Sequence, residues 1–289
     1  NYRRPDAPTP SGWKDQGGDV DKNFARSMAK WGRWWSLFDD PVLDELESKA
    51  LFGNQNLKSA VASVDKARAL ARVSGADLWP EANLNPSFER SRTTKNAVSS
   101  SSSFAARGLT SNKFSVPLDL SYELDIWGKV RRAFEAGRAE AQASEEAYRT
   151  VLLTLAADVA RNYFLLRELD AEVETIVQTI ELRQRATDVV HDRVKGGVSS
   201  ELDLSRAQTV LAQAQADLID VKRRRAEFEN ALAVLCGAPA SDFQIEPKPL
   251  DVTPPALAVP VGLPSDLLKR RPDIAEAERF SREGTVREA

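Results

Sequence analysis

The chain has 289 residues, 42% of them hydrophobic and 29% charged, which lies within the range of folded proteins and excludes wholesale disorder. With 40 basic and 43 acidic residues the net charge is only -3, so there is no nucleic-acid footprint. A single histidine, His191, and a single cysteine, Cys236, exclude a disulfide framework and leave little material for a metal site or a Cys–His nucleophile.

Residues 1–40 carry Pro5, Pro8, Pro10, Gly12, Gly17 and Gly18, then Trp31, Trp34, Trp35 and Phe38. They read as an extended arm of low helical content that docks through its aromatic side chains. From Leu43 a heptad phase runs through Leu46, Ala50, Leu57, Ala60, Val64, Ala67, Ala71 and Leu78. Gly53-Asn54-Gln55-Asn56 is expected to interrupt it, giving a short helix and a longer one within 41–79, ending before Pro80.

Two strand candidates follow within 80–127, at 82–90 and 114–126, separated by the serines at 99–103 as an exposed loop. In the second, Phe114, Val116, Leu118, Leu120, Tyr122, Leu124 and Ile126 alternate with polar positions that include Asp119, Ser121, Glu123 and Asp125. One apolar and one acidic face suit a barrel wall with lipid outside and a watery lumen inside, and the length is enough to span a bilayer. The competing reading is an edge hairpin of a soluble sheet, which Pro117 favours because proline removes a ladder donor.

A helical stretch is expected from Lys129 to about Val194, with a seam at Leu152, Leu155, Val159, Leu166, Leu169, Val173, Ile176, Ile180, Val190 and Val194. Asn162, Arg183 and Thr187 fall in the same phase and weaken it. A fourth seam runs Leu204, Ala207, Leu211, Ala214, Leu218, Val221, Phe228, Leu232 and Leu235, broken at Arg225. At 1.5 Å per residue the first of these helices would be about 95 Å long. Gly196 and Gly197 permit a reversal between the two, Ser199 or Ser200 can cap the second, and Asp203 suits its N-terminal dipole. His191 reads as a surface residue and Cys236 as a small buried group. No apolar run is long enough for a membrane helix.

This order of elements resembles the TolC-like outer-membrane factor family, and in particular its lipoprotein efflux branch. Asn1-Tyr2-Arg3-Arg4-Pro5 resembles the segment after that branch's acylated cysteine, and the stretch from Ser121 to Arg131 resembles its strand-to-helix junction. The stretch from Gly197 to Asp203 is similar to the helix-hairpin turn, that from Leu232 to Gly237 to a helix end, and that from Leu263 to Ile274 to the opening of a second repeat.

The resemblance implies a mainly α fold with a β-hairpin: a long antiparallel coiled-coil helical hairpin (128–237) plus two transmembrane β-barrel strands, half of a trimeric outer-membrane channel subunit. Residues 238–262 would be a proline-rich linker and 263–289 the truncated start of a second repeat. The full-length parent would be a homotrimer in outer-membrane lipid, fed by an inner-membrane pump through a periplasmic adaptor. The adaptor would meet the hairpin tip at Gly197, Val198, Ser199, Ser200, Leu202 and Asp203. The implied activity is export of small toxic compounds or drugs, with no catalytic residue and no cofactor, and with any lipid anchor on a cysteine upstream of Asn1. The outer-membrane component of type I protein secretion and a soluble periplasmic coiled-coil scaffold or adaptor are the alternatives.

Overall fold

The computed structural model describes residues 33–92, 110–249, 268 and 270–288. The serine-rich loop, most of the N-terminal arm and most of the linker lie outside them. The described residues fall into two compact units. One takes the described residues of 66–141 and those from 279 onward; the other takes those up to 65 and those of 142–278.

The elements in chain order are α1 (Pro41–Gly53), α2 (Gln55–Ala76), β1 (Glu81–Leu84), β2 (Ser87–Arg92), β3 (Thr110–Ser115), β4 (Leu118–Ser121), α3 (Lys129–Lys195), α4 (Glu201–Leu235) and α5 (Pro272–Glu288). Short 3-10 helices cover Trp34–Phe38 and Ala240–Asp242. The first modifies the reading of residues 1–40 as extended.

Helix α1 starts where sequence chemistry requires. Asp40 accepts hydrogen bonds from the Val42 and Leu43 amides at 2.9 and 3.3 Å, and Pro41 occupies the first helical position, where no amide is needed. Leu43, Leu46 and Ala50 then share one buried face. They pack into a core with Trp35, Leu57, Leu155, Val159, Tyr163, Leu166, Leu232 and Ile245. Each fully buried leucine contributes about 1.5–3 kcal/mol. The aromatic docking expected of the arm is present in its described part: Trp34 and Phe38 stack edge to face, and Phe38 lies 4.7 Å from Phe164 between centroids.

The Tyr163 hydroxyl donates to the other oxygen of Asp40 at 2.5 Å. Burial, aided by the Asp40 carboxylate, pushes this phenol up to about 12. The Tyr163→Phe variant is expected to lose about 1 kcal/mol in chemical denaturation, because only the hydrogen bond is removed and the ring is kept.

The interruption expected at 53–56 shrinks to one residue. Asn54 accepts from the Leu57 amide at 3.0 Å, capping α2, while its side-chain amide donates to the Leu235 carbonyl at the end of α4 at 2.9 Å. Beside it, Gly53 and Gly237 bring two backbones together. A Cβ on Gly53 would lie 2.0 Å from the Cys236 carbonyl oxygen. Cys236 is buried as expected, and burial pushes its thiol up to about 11.

The arginine that breaks the α4 seam has a structural role. Arg225 bonds Asp170 at 2.6 Å, Glu229 at 3.1 Å and the Ile245 carbonyl at 2.7 Å. Asp170 also accepts from Arg167 and from the Lys248 amide, both at 3.0 Å, and Arg167 donates to the Glu246 carbonyl. The extended segment from Ile245 to Lys248 is thus fastened to α3 and α4 by charged side chains that satisfy its backbone.

In the other unit, Phe134 of α3 lies over Gly75 of α2, where an added Cβ would come within 2.9 Å of the ring. That fixes the spacing of the two helices flanking the strands.

Candidate membrane hairpin and helical tip

The expected single strand over 114–126 is corrected by the structure to two shorter ladders. β4 pairs antiparallel with β1, from Glu81↔Ser121 to Leu84↔Leu118, and β2 pairs with β3, from Ser87↔Ser115 to Arg92↔Thr110. Both ladders keep one register without a bulge, so they form one hairpin interrupted at Asn85-Pro86 and Val116-Pro117. The reason is the missing donor: each strand carries a proline at the interruption, and only the Asn85 amide bridges it, to the Pro117 carbonyl at 3.3 Å.

The same logic ends β4. In this register Tyr122 would face Pro80, which has no amide to give, so Tyr122, Glu123, Leu124, Asp125 and Ile126 lie beyond the ladder. The backbone turns there, with the Ile126 amide bonding the Leu124 carbonyl at 2.9 Å. Asp125, expected on a lumenal strand face, instead receives the Val130 and Arg131 amides at 3.2 and 2.9 Å and caps α3. The signal for this was present in the sequence as Pro80, Pro86 and Pro117, but it becomes legible only when the register aligns them.

Within the ladders the alternation holds. Phe88, Leu84 and Ala82 stand opposite Phe114, Leu118 and Leu120, giving both strands a shared apolar face. Phe88 and Phe114 are in contact, with centroids 4.7 Å apart. Phe114, Val116, Leu118 and Leu120 are nonetheless all more than 65% exposed. That is an apolar surface nothing in the described chain covers. Asp119 and Ser121 lie on the opposite face, where Asp119 pairs in register with Asn83. Tyr122, Leu124, Ile126 and Trp127, past the strand end, are exposed as well. No helix among the described residues is long and apolar enough to cross a membrane.

The second candidate region is the turn between α3 and α4. Helix α3 ends in a Schellman closure: the Val198 amide reaches the Arg193 carbonyl at 2.8 Å and the Gly197 amide reaches Val194 at 3.0 Å. Gly197 takes φ +72°, the left-handed geometry this closure demands. Of the two serines considered for capping, Ser200 does so. It accepts from the Asp203 amide at 3.3 Å while Asp203 receives the Ser200 amide at 3.2 Å, a reciprocal capping box. The Ser200 hydrogen bonds and the nearby Arg206 and Arg193 charges hold the Asp203 carboxyl below its ordinary value. The Ser200→Ala variant is expected to destabilise the start of α4 by about 1 kcal/mol, read as faster amide exchange at Leu202, Asp203 and Leu204 with the rest of α4 unchanged.

Val198 is 71% exposed and Leu202 57% exposed, so the tip presents two apolar side chains around a rigid turn. His191, one turn earlier, is exposed as expected. Among the described residues no cluster of histidine, cysteine and carboxylate side chains could hold a metal ion.

The family model for the outer membrane efflux protein matches residues 46–238. The toluene efflux pump outer membrane protein TtgC of Pseudomonas putida is 34% identical over 284 residues, covering 97% of this chain and 57% of its own length. The cation efflux system protein CusC of Escherichia coli is 31% identical over 279 residues, covering 96% of this chain and 58% of its own. The chain therefore spans little more than half the length of these curated relatives.

Among solved structures, the outer-membrane channel OprN superposes with a TM-score of 0.82 at 26% identity, covering 99% of this chain and 62% of that one. A CusC structure gives 0.78 at 28% identity, with 99% and 61% covered. With its proline-segmented apolar hairpin leading into a 67-residue helix and a capped return, this chain belongs to the outer membrane efflux protein family.

Proposed function

We propose that the chain supplies the first repeat of an outer-membrane channel subunit in a tripartite efflux system that exports small toxic compounds or drugs. The observation that carries this is the apolar face of the hairpin, which both strands build in register and the described chain leaves uncovered. Such a face is costly in water and favourable against lipid. On this reading Phe114, Val116, Leu118 and Leu120 meet lipid while Asp119 and Ser121 face a lumen. The subunit is a homotrimer member, and the tip at Gly197, Val198, Ser199, Ser200, Leu202 and Asp203 meets a periplasmic adaptor that connects to an inner-membrane pump. The names of the relatives, which include toluene and cation efflux, support small solutes as the cargo class.

Membrane fractionation of a full-length parent that carries this chain as its first repeat tests the hairpin. It is expected in the outer-membrane fraction, and Leu120→Arg is expected to shift it toward the soluble fraction, since an arginine on a lipid face costs about 2–4 kcal/mol at mid-bilayer depth. Recovery of the unmodified parent in the soluble fraction would overturn the channel reading in favour of a soluble scaffold. Val198→Asp tests the tip: loss of crosslinking to the adaptor with unchanged membrane recovery is expected.

A further inference from the structure

The ladder of β2 and β3 carries two arginines on its apolar face. Phe88 stands opposite Phe114 with the rings in contact, so both side chains lie on one face of the sheet. Two and four residues on, Arg90 is in register with Asn112 and Arg92 with Thr110, and the two-residue period of a strand puts all four on that same face. The opposite face is fixed independently: there the hydroxyls of Ser91 and Ser111 meet at 3.0 Å, and Glu89 stands opposite Lys113. Every residue of β2 is exposed, the two arginines included.

Position along the strands matters as much as the face. Helix α2 leads into β1 and β4 leads toward α3, so the helices join the hairpin at its Glu81↔Ser121 end and Arg92 lies at the other. At about 3.3 Å per residue, Arg90 and Arg92 stand about 7 and 13 Å beyond Phe88. The face is therefore apolar from Ala82 to Phe88 and turns cationic at the end far from the helices. A wall that meets acyl chains up to Phe88 and headgroups beyond it has this profile, because arginine stems lie along apolar surface while their guanidinium groups reach the polar layer.

Two guanidinium forks on successive same-face positions, with the Asn112 amide and the Thr110 hydroxyl opposite them, suit an anion with several oxygens and more than one charge, as a phosphate monoester has. Further strands extend a sheet edge to edge, in its plane, so completing the wall leaves Arg90 and Arg92 on the face of Phe88. We infer that this strip seats the phosphate groups of a phosphorylated glycolipid of the lipid A type, in the leaflet far from the helices. The inference rests on the reading of this face as lipid-facing and specifies the headgroup at its far end.

The test uses the full-length parent that carries this chain as its first repeat, in detergent, with native mass spectrometry to count retained lipid. Diphosphorylated lipid A is expected to be retained about 10-fold over the same glycolipid after phosphatase treatment, the equivalent of one charge-assisted hydrogen bond. Arg90→Gln combined with Arg92→Gln should abolish that preference. Arg92→Gln alone, at the last pair of the ladder, should lower it by about 3-fold. Lys113→Gln, on the opposite face, should leave it unchanged.

Equal retention of the two glycolipids overturns the inference, as does a preference that survives the double variant or is lost equally in Lys113→Gln. Retention of phosphatidylglycerol as strong as that of lipid A also overturns it, by reducing the strip to a general attraction for anionic lipid. Mobility of the unheated oligomer in detergent gels checks that each variant assembles. A parent recovered in the membrane fraction without a lipid preference defeats this inference and leaves the channel reading standing, whereas a soluble parent defeats both.

Discussion

Gly53→Ala and Gly237→Ala are each expected to destabilise the helical unit by about 3–5 kcal/mol, lowering its melting temperature by roughly 10 °C. The cause is backbone against backbone. A Cβ on Gly53 would stand 2.0 Å from the Cys236 carbonyl oxygen and 3.0 Å from its carbon, and one on Gly237 would stand 2.3 Å from the Gly53 oxygen. Neither neighbour is a flexible side-chain tip that can swing aside. Gly237 carries a second demand, because it closes α4 at φ +67°, with the Ala238 amide on the Ala233 carbonyl at 2.9 Å.

Separating the two backbones would also pull Asn54 from the Leu235 carbonyl and the Cys236 thiol from the Leu46 carbonyl. Gly284→Ala in α5 is the control, since nothing lies within 4 Å of its added Cβ and helix propensity alone should favour it by up to about 1 kcal/mol. Thermal melts of the three variants measure this. Equal melting temperatures for Gly53→Ala and the unmodified chain would contradict the contact.

The second large effect concerns Glu47 and depends on pH. This residue of α1 is 1% exposed, and neither carboxyl oxygen has a hydrogen-bond partner among the described residues. Burial first, and the negative charge of Asp44 second, push it from an ordinary 4.5 up to about 8. The folded chain therefore keeps this proton where the unfolded chain releases it. Its contribution to stability is fully present below pH 4.5, is lost progressively as pH rises toward 8, and stays lost above that.

The total loss is on the order of a few kcal/mol. Glu47→Gln, which is always neutral, is expected to match the parent near pH 4.5 and to exceed it increasingly up to pH 8 in urea denaturation. A difference between the two that does not vary with pH would show that the carboxylate is solvated or paired in the native state.

Much of the fold was legible in the sequence because it is governed by local period. The seam residues from Leu152 to Val194 and from Leu204 to Leu235 predict two helices, and α3 and α4 occupy Lys129–Lys195 and Glu201–Leu235. The Gly-Gly turn with its serine cap also needs only neighbouring residues, so the tip could be read directly, down to a choice between Ser199 and Ser200.

The hairpin was legible in its alternation but not in its extent. An apolar residue at every second position says which way side chains point, whereas a ladder also needs a donor on the opposite strand. Tyr122 to Ile126 alternate correctly and still fall outside β4, because the residue that would face Tyr122 is Pro80.

By itself, then, the sequence determined the helix periods, the caps, the reversal at Gly197 and the apolar face of the hairpin, all properties set by residues a few positions apart. Tertiary structure alone decided what distant residues do to one another. It brought Gly53 onto Cys236 and Gly237, turned the seam-breaking Arg225 into the clamp on Ile245 to Lys248, and carried Arg183 across to the Val210 carbonyl. These outcomes rest on distances between chain segments, which a heptad phase or a propensity does not encode.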